Sequence, residues 1–139
     1  MKTRKLQVIS LLLILAMTLC ACGKQAPTGL WKDAVYTKDT TFGEGSKTVT
    51  VAVEMEEKSV TFTVKTDAET VGEALLEHEL IAGDEGPYGL YIKTVNGVRA
   101  DYDKDGFYWA FYVGEDYAMQ GIELTPIDES AAYRLVYAK

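Results

Sequence analysis

The chain is 139 residues long, 47% hydrophobic, and carries 21 acidic against 14 basic residues for a formal net charge of −7. That length suits a single domain with one core. The acidic balance argues against nucleic acid or an anionic lipid surface as a direct partner.

From the N-terminus, Lys2, Arg4 and Lys5 precede an apolar stretch from Leu6 to Leu19 that is short for a membrane span. The stretch runs into Leu19-Cys20-Ala21-Cys22-Gly23, with leucine three residues and a small residue one residue before Cys22. This resembles the lipobox of bacterial lipoproteins, which implies a signal peptide over 1–21, lipidation of Cys22, and an extracytoplasmic protein tied to the membrane only by that lipid. The alternative is an ordinary export signal with a Cys20–Cys22 disulfide, but cysteines so close in sequence rarely reach bridging geometry. Cleavage before Cys22 leaves 118 residues, removes three cations and takes the net charge to −10. Residues 22–30, polar and containing Pro27 and Gly29, read as a flexible tether. The domain then covers 31–139, with Trp31 and Tyr36 marking its start.

KTVTVAVEME alternates strictly, placing Val49, Val51, Val53 and Met55 on one face. After a polar turn at Glu56-Glu57-Lys58, SVTFTVKT alternates again through Val60, Phe62 and Val64, so the two runs predict a β-hairpin. TVGEALLEHELIAG shifts to helical spacing, with Thr70 and Glu73 as a capping box and Val71, Ala74 and Leu75 as the apolar stripe. GLYIKTV and VRADY flank Asn96-Gly97, the favoured two-residue hairpin turn. FYWAFYV, DYAMQGI and AYRLVYA predict the remaining strands. The order predicts an α+β fold of β-grasp type, one helix packed on a mainly antiparallel mixed sheet.

Asp101, Asp103, Asp105 and Gly106 match the front of an EF-hand loop, but the twelfth position is Tyr112 where a bidentate glutamate is required, and strands flank it. The expectation is an acidic, metal-free turn, with weak cation binding at the three aspartates as the alternative. GEGSKT at 43–48 is no phosphate loop, because Ser46 separates the glycine from Lys47 and a strand follows. The single histidine, His78, falls on the helix's apolar stripe and reads as a packed residue. No serine sits in a strand-turn-helix elbow and no carboxylate pair is singled out by spacing, so the chain reads as a non-enzyme.

Aromatic residues carry the positive signal: 11 of 15 lie between Tyr88 and Tyr137. In FYWAFYV, Phe107, Trp109 and Phe111 point one way and Tyr108 and Tyr112 the other. The tyrosines, with Tyr117 and Met119 on the next strand, form either an ordinary pleated surface or a docking face for a flat ligand or a protein.

GLYIKTVNGVRA, Tyr108-Trp109, QGIELTPID and TVGEALLE together resemble the transcobalamin-like C-terminal domain family over roughly Thr48 to Ala138. The resemblance implies a β-grasp fold and a small-molecule ligand, cobalamin or a related corrinoid, with Tyr108, Trp109, Tyr117, Met119 and Gln120 facing it. In the vitamin carriers this domain is one of two walls around the corrin ring, so a partner is implied as well. The alternative is a cell-surface protein-interaction or structural module using the same sheet with no small-molecule ligand.

Overall fold

The computed structural model describes residues 25–139. The expected signal peptide and Cys22 lie outside the described residues. A 3₁₀ turn at Gly29–Lys32 is the first element of the described residues; in it Trp31 is buried and its indole N–H donates to the Met55 carbonyl at 3.1 Å. The Leu30 N–H donates to the Glu56 carboxylate at 3.0 Å, so the stretch expected as tether is fastened to the domain at its end.

Among the described residues nine strands follow, β1(Thr40–Phe42), β2(Lys47–Met55), β3(Lys58–Thr66), β4(Ile81–Gly86), β5(Gly89–Val95), β6(Val98–Arg99), β7(Tyr108–Val113), β8(Asp116–Tyr117) and β9(Tyr133–Ala138). Two short helices, α1(Val71–Leu76) and α2(Tyr102–Asp105), and a 3₁₀ turn at Ile122–Leu124 interrupt them. The strands form two sheets: six in the order β1-β3-β2-β9-β7-β8, and three in the order β4-β5-β6. The larger sheet is mixed, since β1 runs parallel to β3 and β9 runs parallel to β2. The fold is therefore α+β with a mixed sheet. Instead of one sheet under one helix, the middle strands form a second sheet of their own.

The β2–β3 hairpin follows its alternation, with Val49, Val51, Val53, Met55, Val60, Phe62 and Val64 all buried. Its turn is only Glu56-Glu57, both at positive φ (50° and 65°), and Lys58 already pairs with Met55. Two left-handed residues match the twist of the flanking strands, which is why the link can be so short.

α1 starts where the capping box places it: Thr70 Oγ1 accepts from the Glu73 N–H, and the Glu73 carboxylate accepts from the Thr70 N–H. It ends after six residues, far short of the predicted 14-residue stretch. Glu79 turns left-handed at φ 55°, and the Glu79 and Leu80 N–H groups return to the carbonyls of Leu76 and Leu75. That closure stops the helix and buries Leu80. His78 therefore lies beyond the helix, half-buried, with its ring 5.6 Å from that of Phe42.

Asn96-Gly97 makes the predicted turn, with Val95 opposite Val98. Asn96 also does something a turn residue need not do: it is buried, its Oδ1 accepts from the Tyr36 N–H at 2.8 Å and its Nδ2 donates to the Tyr36 carbonyl at 2.7 Å. The side-chain amide thus pairs with the N-terminal segment as a strand neighbour would.

Candidate functional site

β7 is the element on which the site depends. Alternation along it sends Trp109 and Phe111 into the core, while Tyr108 and Tyr112 stay half-buried on the outer face. The Trp109 indole N–H is committed to the Val98 carbonyl at 3.0 Å, joining the large sheet to the small one. On the side away from β9, β8 pairs only with Tyr112 and Val113. Among the described residues, no strand lies beside Tyr108–Ala110 on that side.

Across this open edge stands β5, and between them is a cleft of about 820 Å³. Trp109, Phe111 and Ile122, all buried, form its floor; Tyr108 and Tyr117 flank one side and Leu90 and Tyr91 the other. The five residues expected to face a ligand, Tyr108, Trp109, Tyr117, Met119 and Gln120, all line this one cleft. They draw on both faces of β7, so the site is the strand's edge and not the flat tyrosine face anticipated from alternation.

Their roles differ. Tyr117 is exposed and meets Tyr112 edge-on with centroids 5.5 Å apart. Its phenol is pushed above the usual tyrosine range by desolvation, and further by the neighbouring Tyr108, Tyr112 and Tyr91. Met119 is 100% exposed. The Gln120 side-chain N–H donates to the Leu124 carbonyl at 2.9 Å, shaping the 3₁₀ turn below it. Neither Met119 nor Gln120 is on a strand, because β8 ends at Tyr117 and the chain bends at Met119-Gln120 before that turn.

Sequence reasoning missed the opposite side of the cleft: Tyr88, Leu90 and Tyr91 from the β4–β5 hairpin, and Glu123 and Leu124 from the 3₁₀ turn. Glu123 is the enclosed carboxylate of the site, beside Gln120 and Glu85 in the same lining. Its Oε1 accepts from the Leu90 N–H at 2.8 Å, which ties the hairpin to the 3₁₀ turn. Its Oε2 is enclosed and accepts from none of the described residues. None of the lining residues is lysine, arginine or histidine.

The three aspartates weighed as a weak cation site sit elsewhere, Asp103 and Asp105 on α2 and Asp101 at its N-cap, and this short helix replaces the expected simple turn. Asp101 faces Arg99 at 3.7 Å and Lys104 at 4.0 Å, and Asp105 accepts from the Phe107 N–H at 2.9 Å. Among the described residues no three histidine, cysteine, aspartate or glutamate side chains converge as a metal site would require.

Fold and cleft define a small α+β domain with an aromatic groove at an open sheet edge. No family model and no curated protein matches the chain. Among solved structures, it is similar to a protein from Ruminococcus gnavus ATCC 29149 provisionally named a metal binding protein, with 30% identity and a TM-score of 0.62 over 68% of this chain and 98% of that one. It also shares the fold of haptocorrin, solved in complex with Cbi, at a TM-score of 0.57 and 18% identity. That match covers 70% of this chain but 26% of haptocorrin, so this chain corresponds to about a quarter of it.

Proposed function

We propose that this protein is a non-enzymatic, extracytoplasmic lipoprotein, anchored through Cys22, whose transcobalamin-like β-grasp domain binds a small molecule in the cleft at the β7 edge. The observation that carries this reading is the convergence of Tyr108, Trp109, Tyr117, Met119 and Gln120 on one groove in a fold shared with haptocorrin. The central parallel pairing of β2 with β9, flanked by the β2–β3 hairpin and β7, supports the β-grasp description. Cobalamin or a related corrinoid is the favoured ligand, since a flat macrocycle suits an edge lined by ring faces. The provisional metal-binding name of the Ruminococcus gnavus protein finds no counterpart cluster among the described residues.

An open groove binds weakly by itself. Burying about 200 Å² of apolar ligand surface yields about 5 kcal/mol before the cost of immobilisation, so micromolar affinity or weaker is expected and a partner would tighten it. Calorimetric titration with cobalamin and with a truncated corrinoid tests the proposal. Heat that saturates at micromolar concentration and is lost in Tyr117→Ser supports it, and no heat at high micromolar ligand sinks the solo-binder form. A second reading, a protein-docking face, draws on the exposure of Tyr88 and Met119, 92% and 100%. It predicts a pull-down partner lost in the Tyr108→Ser/Tyr117→Ser double variant.

A further inference from the structure

Glu123 carries chemistry that the aromatic contacts do not explain. A carboxylate oxygen shut away from water and given no donor is costly, because it forfeits its hydration without replacement. Here the enclosure is built by the backbone. A Cβ on Gly89 would overlap Glu123 Oε1, and one on Gly121 would stand 2.8 Å from both carboxylate oxygens. Only glycine at both positions lets the carboxylate sit between the hairpin tip and the bend. The Leu90 N–H holds Oε1 at 2.8 Å, which fixes where Oε2 points. The lining residues supply no cation, and a second acid, Glu85, stands in the same lining.

We propose that Glu123 is the polar anchor of the cleft and selects ligands that bring an N–H donor, an amide or an ammonium group, beside a flat apolar face, against ligands that bring a carboxylate. This rests on the small-molecule reading above and names the ligand chemistry of that same site. Gly89, which closes over the carboxylate, adjoins the hairpin tip at Tyr88, 92% exposed, so the segment an incoming group must displace has little side-chain packing to lose. An arriving N–H then takes the vacant acceptor, a charge-assisted hydrogen bond made where water is excluded. A carboxylate arriving there meets Glu123 and Glu85 with no cation among the lining residues to compensate.

The test uses probes matched in shape. The ¹⁵N-labelled chain is titrated at neutral pH with indole-3-acetamide, tryptamine and indole-3-acetate while the Leu90 and Glu123 amide resonances are followed. Both donor probes are expected to shift these resonances with about tenfold higher affinity than indole-3-acetate, the factor one charge-assisted hydrogen bond supplies. Glu123→Gln keeps an acceptor for Leu90 and turns the second position into a donor, so it should abolish or reverse the preference. Equal response to the acetamide and the acetate, no shift at Leu90 with any probe, or a preference that survives in Glu123→Gln would overturn the proposal. If Glu123→Gln melts early, the matched probes on the unmodified chain decide alone. Cobalamin titrated in parallel separates the two readings. Donor selectivity without cobalamin binding removes the corrinoid and keeps the anchor, whereas cobalamin binding unchanged in Glu123→Gln, with no donor selectivity, does the reverse.

Discussion

Glu54 and Arg134 meet on the outer face of the large sheet, joining β2 to β9 across their parallel pairing. The Arg134 guanidinium donates to both Glu54 oxygens, at 2.8 Å and 3.1 Å, and lies 5.0 Å from the centroid of the Tyr112 ring. Tyr112 in turn meets Tyr117 at the cleft, so the ion pair braces one flank of the groove. The Arg134 hydrogen bond is the chief cause holding the Glu54 carboxyl below its ordinary 4.5, with desolvation opposing it. A carboxyl with a depressed native pKa stabilises the fold above its unfolded value, and that stability is lost as pH falls through the native one. Glu54→Gln should therefore cost about 1 kcal/mol at pH 7, roughly 3–5 °C of melting temperature. The gap between variant and parent should begin to close below pH 4.5 and vanish once Glu54 is protonated in the native state. Thermal melts of both proteins across that range measure it, and a gap that does not change with pH would mean the pair contributes through shape alone.

At the scale of elements, α1 shows where a local rule yields to a tertiary contact. Gly72 is a helix residue, and replacing it with alanine would ordinarily gain up to about 1 kcal/mol. Here a Cβ would stand 2.7 Å from Glu123 Cα and 2.8 Å from Glu123 N, both backbone atoms of the 3₁₀ turn. Gly72→Ala should instead lower stability by about 1–3 kcal/mol, as overpacking does. It should also move the Leu90 amide resonance, because the displaced backbone carries Glu123; a denaturant melt and a ¹H–¹⁵N spectrum check the two effects. The capping box and the buried face of α1 were legible in the sequence, and so was the β2–β3 hairpin, since period and cap are local signals. β4 was not legible. In IAGDEG only Ile81 is buried, a bulge falls between Ala82 and Gly83, and the strand exists because β5 pairs with it. The same blind spot covers the site. The aromatic strand and its neighbours could be named from sequence, but Leu90, Tyr91 and Glu123 reach the cleft through pairings that no local pattern announces. α1 was also overextended, because nothing in LEHEL marks Glu79 as the left-handed residue that ends it.

For the molecule as a whole, the decisive connection is the last one made. β9 lies inside the large sheet, parallel to β2 on one side and antiparallel to β7 on the other. Its Tyr133 and Leu135 are 2% and 1% exposed. The Tyr133 hydroxyl accepts from the Asp128 N–H at 2.9 Å and reaches the Pro126 carbonyl at 3.3 Å, fixing the chain that leads into the strand. Among the described residues, no strand pairing other than that of β9 joins the β1-β3-β2 half of the sheet to the β7-β8 half. Without β9 both inner edges would expose unpaired backbone, and the floor of the cleft would lose its support, since Tyr133 stacks on Phe111 at 6.1 Å. Ending the chain at Ala131 should therefore abolish the cooperative thermal transition, not merely lower its midpoint, even though the β2–β3 hairpin keeps every local signal that predicted it. Circular dichroism melts decide between these outcomes. A truncated chain that still unfolds in one sharp transition would show that the hairpin and α1 form a stable unit without the strand that closes the sheet.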